Sequence, residues 1–209
     1  MEKRNVWKLY SAVANEFDRT RGRSGHENVY LDLLAARLPP APARILDLGC
    51  GTGEPIARYF IERDGRLTGI DAAPEMLALA SKRFPDHDWL EADMRDLALG
   101  NRFDAIIAWD SFFHLPRDDQ RAMFDIFASH CAADGLLLFT SGPAAGEAIG
   151  DLFGQTLYHA SLDPTEYASL LETHGFEIIR HTAEDPDCAG HTVWLAQRRN
   201  ARGPTAQEA

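Results

Sequence analysis

The chain is short of several things that would give its role away. It has only three cysteines in 209 residues, Cys50, Cys131 and Cys188. They are scattered and form no CxxC pair, which argues against a disulfide framework or a structural zinc site and for a reducing compartment. No stretch approaches the roughly 20 apolar residues of a membrane span, and the opening MEKRNVWKLYSAVANEF lacks the apolar run of a leader peptide. A soluble, cytoplasmic protein is expected. Positive charge is scarce: 21 Lys and Arg face 32 Asp and Glu, for a formal net charge of −11. Such a chain is a poor match for DNA or RNA. Its only basic cluster, Arg19, Arg21 and Arg23, reads as a solvated helix end. There is no GxxxxGK[ST] phosphate loop, no internal repeat and no long low-complexity tract.

What is present is alternation. Trp7, Tyr10, Val13, Ala14 and Phe17 recur near helical spacing, and a second helix over about 27–38 stops at Pro39-Pro40. From Ala43 onward short apolar runs alternate with helical stretches. The strands are expected at ARILDLG, RLTGID, Trp89-Leu90-Glu91, FDAIIAW and GLLLFT, with helices between them. Apolar strands alternating with helices imply a parallel sheet covered on both faces. Segment 141–162, with four glycines and no clear period, is expected to be a long loop of functional purpose. Asp163-Pro164-Thr165-Glu166 has the cap, the first-turn proline and the acid of a helix start. FEIIRHTA and HTVWLAQ then read as a final hairpin.

The most informative residues are Asp47-Leu48-Gly49-Cys50-Gly51-Thr52-Gly53, between the first strand and the next helix. Ligands of open α/β sheets bind at such strand ends, and glycine there leaves backbone bare. The GxGxxG fingerprint of a dinucleotide site fails in both frames, because Glu54 or Ile56 stands where the last glycine should be. Glu54 is also a poor neighbour for a pyrophosphate at a helix N-terminus. Asp71 ends the second strand, roughly 20 residues past the glycine loop, the spacing of a ribose-binding acid. Glu91-Ala92-Asp93-Met94 follows the third strand, where an Asp can accept from an adenine amino group and the next N–H can reach the ring.

DLGCGTG, then GID, then EADM resembles the class I S-adenosylmethionine-dependent methyltransferase family, in motif over about 43–140 and in layout over most of the chain. The resemblance implies a Rossmann-like three-layer α/β sandwich: a seven-stranded, mostly parallel sheet whose antiparallel C-terminal hairpin lies beside the fifth strand. Residues 1–40 would be a helical lid, 41–198 the methyltransferase domain and 199–209 a flexible tail. The cofactor implied is S-adenosyl-L-methionine. Asp47, Gly49, Cys50, Gly51 and Gly53 would flank its methionine part, Asp71 and Ala72 its ribose, Asp93 and Met94 its adenine. Tyr10 resembles the aromatic of a lid helix, and Arg21 would pair with the cofactor carboxylate.

On the acceptor side, the fourth strand ends in Trp109-Asp110-Ser111-Phe112-Phe113-His114. The [ND]PP[YF] pattern of adenine- or glutamine-amide-methylating relatives is absent, which weakens a nucleic-acid or protein acceptor. His114 is the candidate general base, and Asp110 would orient that histidine or the acceptor. Tyr158, His159 and His191 are candidate acceptor contacts, and Trp7, Phe112, Phe113, Phe153 and Tyr158 hint at an enclosed, partly apolar pocket. The mixed cluster His181, Asp185, Asp187, Cys188 and His191 matches no zinc spacing, so no metal is expected. The reading is methyl transfer by in-line displacement to a small molecule. The alternatives are a non-catalytic cofactor-binding module, a protein or RNA methyltransferase and, least, a dehydrogenase. Oligomeric state is not legible.

Overall fold

Alternation within each strand organises the molecule. Successive strand side chains point to opposite faces, and here both are apolar. The computed structural model describes residues 5–21 and 25–200. Arg23 and most of the expected tail therefore lie outside the described residues. In β1 (Arg44–Leu48), Leu46 and Leu48 face one core and Ile45 the other. In β4 (Phe103–Ala108), Ile106 and Ala108 oppose Ala105 and Ile107. With β2 (Arg66–Asp71), β3 (Asp88–Glu91), β5 (Cys131–Ser141), β8 (Phe176–Asp185) and β9 (His191–Arg198) they form one seven-stranded sheet, ordered β3-β2-β1-β4-β5-β9-β8. The first five are parallel neighbours, and β9 runs antiparallel to both β5 and β8. The result is the expected Rossmann-like sandwich with its antiparallel terminal hairpin.

One face is covered by α5 (Arg117–His130) and α6 (Pro164–Thr173), whose Phe124, Phe127 and Tyr167 pack with Phe112 and Phe139. Rings of this size contribute about 2–3 kcal/mol each on full burial. The other face is covered by α2 (Asn28–Ala35) and α3 (Ile56–Ile61), through Tyr30, Leu31, Leu34 and Phe60. A third, smaller cluster joins α1 (Val6–Thr20) to α4 (Pro74–Arg83): Ala14, Tyr10 and Phe17 meet Ala73 and Met76. Polar contacts add to that seam. Ser11 donates to Glu75, and Arg83 binds Asp18 at 2.7 Å while donating to the Thr52 carbonyl at 2.6 Å.

The start of α6 is as expected at its cap, where Asp163 accepts from the Thr165 N–H at 2.9 Å. Glu166 does not reach back to it but accepts from Arg121 at 2.6 Å. Among the described residues no helix is long and apolar enough to cross a membrane.

Segment 141–162 corrects the expectation of a loop. It holds an antiparallel pair, β6 (Gly146–Leu152) and β7 (Gln155–Ser161), closed by Phe153-Gly154. Both turn residues have positive φ, 53° and 77°, as a two-residue hairpin turn of type I′ needs. That turn normally announces itself as Asn-Gly or Asp-Gly, and a phenylalanine in the first place hides it. The strand pattern is hidden too, since β6 is mostly solvent-exposed and has no apolar face to bury.

Strand order reverses beside β1, which lies between β2 on one side and β4 on the other. A crevice opens at such a point outside the carboxyl ends of the strands.

Candidate functional site

The crevice is real, and most of the glycine loop and its acids line it. Its wall includes Asp47, Gly49, Cys50, Gly51, Asp71, Ala72, Asp93 and Met94. Gly49 sits at φ +73°, and an added Cβ would meet Ser111 Cβ at 2.3 Å, so only glycine fits. Gly51, at φ +54°, has nothing within 4 Å of where a Cβ would be, which leaves bare backbone toward the cleft. The loop is tied down from β2: Gly49 and Cys50 N–H donate to the Ile70 carbonyl at 2.8 and 3.0 Å. Asp71 completes the tie, accepting from Gly51 N–H at 2.8 Å and Ala73 N–H at 2.9 Å. Burial raises its pKa, and those backbone donors partly offset the rise.

Asp47 is 2% exposed, and its Oδ2 has no partner. Burial, then the neighbouring Asp71 charge, pushes its pKa up to about 7, against a small opposing pull from Arg21. A desolvated carboxylate whose Oδ2 lone pairs meet no donor is suited to a cation. Asp93 accepts from Arg95 N–H at 3.0 Å and from the Arg95 guanidinium at 2.9 Å, and Arg95 is held in turn by Asp119 at 2.8 Å.

Gly53 does not line the cleft. It faces inward, where a Cβ would meet ring atoms of Phe84 and Trp89 at 3.1 and 3.2 Å. Its left-handed backbone, φ +77°, together with the close Phe84 and Trp89 rings favours glycine here, a need that looks the same in sequence as bare backbone for a ligand.

The opposite wall comes from the end of β4 and from α1: Trp7, Tyr10, Arg21, Trp109, Asp110, Ser111 and His114. Ser111, which sequence reading passed over, donates to the Leu48 carbonyl at 2.6 Å and so locks the end of β4 to that of β1. Asp110 has a left-handed backbone, φ 49°, and its N–H donates to Thr140 Oγ1 at 2.9 Å. Its carboxylate meets His191 Nε2 at 3.0 Å and Arg21 at 3.6 Å. Burial alone would raise its pKa, but the His191 contact, with Arg21 and His114 behind it, outweighs burial and holds it low. Arg21 thus meets Asp110 through one guanidinium nitrogen, while its buried Nε has no hydrogen-bond partner.

His114 is 8% exposed. Its Nδ1 lies 2.9 Å from the Tyr158 carbonyl and its Nε2 3.0 Å from the Tyr10 hydroxyl. A carbonyl only accepts, so Nδ1 carries the proton, and Nε2 is the acceptor for Tyr10. That is the tautomer of a base, but its lone pair is taken, and burial lowers its pKa to about 4.

The three expected acceptor contacts stand one layer behind this wall. Tyr158 is buried in the hairpin with its hydroxyl donating to Glu147 at 2.9 Å, and it offers His114 only its backbone carbonyl. His159 packs on His114 and Phe113, at 4.8 and 5.3 Å between ring centroids, beside a second cavity of about 330 Å³. His191 is stacked between Trp109 and His26. The aromatics expected to enclose the pocket divide as well. Trp7 lines the cleft, whereas Phe112 belongs to the α5–α6 core, Phe113 lines the second cavity and Phe153 tops the hairpin turn. Of the mixed cluster on β8 and β9, His181 stacks on Trp194 and Asp185 accepts from Tyr30 at 2.6 Å.

Comparison with known proteins agrees with this layout. A family model described as a methyltransferase domain matches residues 45–135. The ubiquinone biosynthesis O-methyltransferase of Xanthomonas axonopodis pv. citri (strain 306) is 30% identical over 168 residues, 72% of this chain and 69% of the relative. The dTDP-3-amino-3,6-dideoxy-alpha-D-glucopyranose N,N-dimethyltransferase of Streptomyces fradiae is 35% identical over 121 residues, 56% of this chain and 47% of the relative. The chain spans about half the length of the first curated relatives it matches. The same fold is found in the SAM-bound amino pentose methyltransferase CalS10 from Micromonospora echinaspora, with a TM-score of 0.69 and 24% identity over 89% of this chain and 96% of that one. Glycine loop, strand-end acids, sheet order and sequence similarity agree: the chain belongs to the class I S-adenosylmethionine-dependent methyltransferase family.

Proposed function

We propose that this protein transfers the methyl group of S-adenosylmethionine to a small molecule. The observation that carries the proposal is the unpartnered, buried Oδ2 of Asp47 beside the bare backbone of Gly51. An anionic acceptor at the foot of an open glycine loop fits the α-ammonium of a methionine moiety. Asp71, at the end of β2, would hold the ribose hydroxyls with Ala72 beside it. Asp93 and Met94, after β3, would hold the adenine. When bound, the cofactor supplies an electrophilic methyl carbon on a sulfonium.

The chain's own residues supply position and shelter. Tyr10 and Trp7 bring α1 over the cleft as its cover and exclude water from it. His114, held by the Tyr158 carbonyl, fixes the Tyr10 hydroxyl at the cleft wall. Asp110 presents a carboxylate there, with Arg21 and His191 behind it. Holding nucleophile, carbon and sulfur in line supplies much of the rate in such a displacement. Relatives act on small molecules according to their names, amino sugars among them. The acidic chain and its three buried, free cysteines fit a small acceptor in a reducing, cytoplasmic setting.

The test is turnover. Purified protein, S-adenosylmethionine and a low-molecular-mass metabolite extract should yield S-adenosylhomocysteine above the extract-free rate. His114→Ala, which leaves the Tyr10 hydroxyl unheld, should bind S-adenosylhomocysteine like the wild type yet turn over ~10- to 100-fold more slowly through lost positioning. Tight cofactor binding with no turnover on any fraction would leave a binding module in place of an enzyme.

A further inference from the structure

Resting on the methyl-transfer reading, the acceptor wall narrows the class of nucleophile. We propose that the methyl acceptor is a primary or secondary amine, drawn in as a cation and oriented by the Asp110 carboxylate and the Tyr10 hydroxyl.

Three kinds of acceptor compete for such a site, and each asks something different of the protein. A carboxylate acceptor needs a cation to hold it. Of the cleft-lining residues described, the cations are Arg21 and Arg95: Arg95 is paired with Asp93 and Asp119, and the Arg21 charge is offset by Asp110 at 3.6 Å although its buried Nε has no hydrogen-bond partner. Against them stand Asp47, Asp71 and Asp110, together with Glu54, which Arg58 and Arg83 offset, and Asp93, which Arg95 offsets. The field in the cleft is negative, and it repels a carboxylate.

An alcohol acceptor needs a base, because its oxygen must lose its proton as the new bond forms. The imidazole at the wall is His114. Its Nδ1–H is committed to the Tyr158 carbonyl, and its Nε2 accepts from Tyr10. Burial holds its pKa at about 4, roughly 12 units below a hydroxyl that resembles water. The other candidate, Asp110, is held low by His191. Neither takes a proton from an alcohol.

An amine needs neither device. Drawn in as an ammonium, it first gives one proton to water, which a pKa of about 10 allows where an alcohol's does not, and the free base left in the site carries a lone pair. That pair forms the new N–C bond, the bond from methyl carbon to sulfur breaks with its electrons going to sulfur, and the positive charge passes to nitrogen. The ammonium formed then gives a proton to water. Asp110 suits the amine before and after this step, because its carboxylate accepts N–H donors and balances the cation. The Tyr10 hydroxyl, donating to His114, keeps its oxygen lone pairs for another N–H. Trp7 and Trp109 add apolar ring surface to the lining of the same cleft.

The test uses three probes of one shape, benzylamine, benzyl alcohol and benzoate, titrated calorimetrically into protein saturated with S-adenosylhomocysteine at pH 8. Benzylamine is expected to bind at least tenfold more tightly than either of the others. Asp110→Asn, an exchange the left-handed backbone accepts, is expected to remove that preference. If Asp110→Asn no longer holds S-adenosylhomocysteine, His191→Gln replaces it: with the imidazole that competes for Asp110 gone and the carboxylate kept, benzylamine should bind about threefold more tightly. Equal binding of amine and alcohol, tighter binding of benzoate, no measurable binding of benzylamine, or a preference unmoved by the variant overturns the inference. Failure of S-adenosylhomocysteine itself to bind would instead overturn the methyl-transfer reading beneath it.

Discussion

Along one wall of the cleft, at the ends of β1 and β2, the working groups are backbone amides and the carboxylates they orient. Asp71 accepts from Gly51 and Ala73, the loop amides bind the Ile70 carbonyl, and Gly49 is pressed against Ser111. Along the other wall, at the end of β4, the working groups are side chains from distant stretches: Tyr10 from α1, His114 after β4, the Tyr158 carbonyl from the hairpin and His191 from β9. The first wall is built by local chain geometry and the second by tertiary assembly. The first therefore suits a group common to a family, and the second one that differs between its members.

The largest expected break in this comparison is Asp71→Ala. It removes the acceptor of one backbone N–H in the glycine loop, that of Gly51, and of the Ala73 N–H at the start of α4, and S-adenosylhomocysteine affinity should fall roughly 100-fold, or about 2.7 kcal/mol, in a titration calorimeter. Binding within threefold of wild type would mean that the loop holds its shape without the acid.

Asp47→Asn should act in two directions. With the carboxylate gone, S-adenosylhomocysteine affinity should drop at least about tenfold, while the unliganded protein becomes more stable at pH 8. The sign follows from linkage. The folded pKa, about 7, lies above the unfolded value of about 3.9, so the native state binds more protons between those values. Stability is then lost as pH rises through 7, and the amide relieves that loss. A gain of at least about 3 °C in Tm is expected by calorimetry. For the wild type, cofactor-product affinity should be about tenfold weaker at pH 6 than at pH 8, because the carboxylate is mostly protonated at pH 6. A pH-independent affinity would remove Asp47 from the site.

These effects fall on residues that were visible in the sequence, and for a physical reason. Gly49 and Gly51 are glycines because their backbones are left-handed, and Asp71 closes a loop that begins next to its own strand. Spacing along the chain therefore maps onto distance in space. The sheet was legible likewise, since strands buried on both faces are runs of apolar residues. Gly53 shares that left-handed backbone, φ +77°, but faces Phe84 and Trp89 instead of the cleft, and sequence alone does not tell which way a glycine faces. The hairpin escaped because Phe153 occupies a place where Asn is the usual signal. The second wall was only half legible. His114 and Asp110 stand at the end of β4, where such residues are looked for, but the contacts of His114 with Tyr10 and Tyr158 join residues far apart in the chain, and no local pattern records them.

On that second wall, Tyr10→Phe should leave S-adenosylhomocysteine affinity within about threefold and lower turnover about tenfold, read as a fall in kcat. A change confined to cofactor binding would move Tyr10 to the first wall. The smallest effect belongs to the hairpin tip. Phe153→Asn should raise stability by about 0.5–1 kcal/mol, because Asn tolerates the left-handed turn better, and leave cofactor binding unchanged. A loss of stability would show that the 38% exposed ring contributes more by packing than it costs in the backbone.

The central claim is that the first wall is shaped for a methionine-bearing nucleoside. It is tested most directly by calorimetric titration of the wild type with S-adenosylhomocysteine, with NADH as the comparison. The structure predicts one site of micromolar or better affinity for S-adenosylhomocysteine and no measurable heat with NADH. Binding of NADH alone, or of neither by a folded sample, would contradict it.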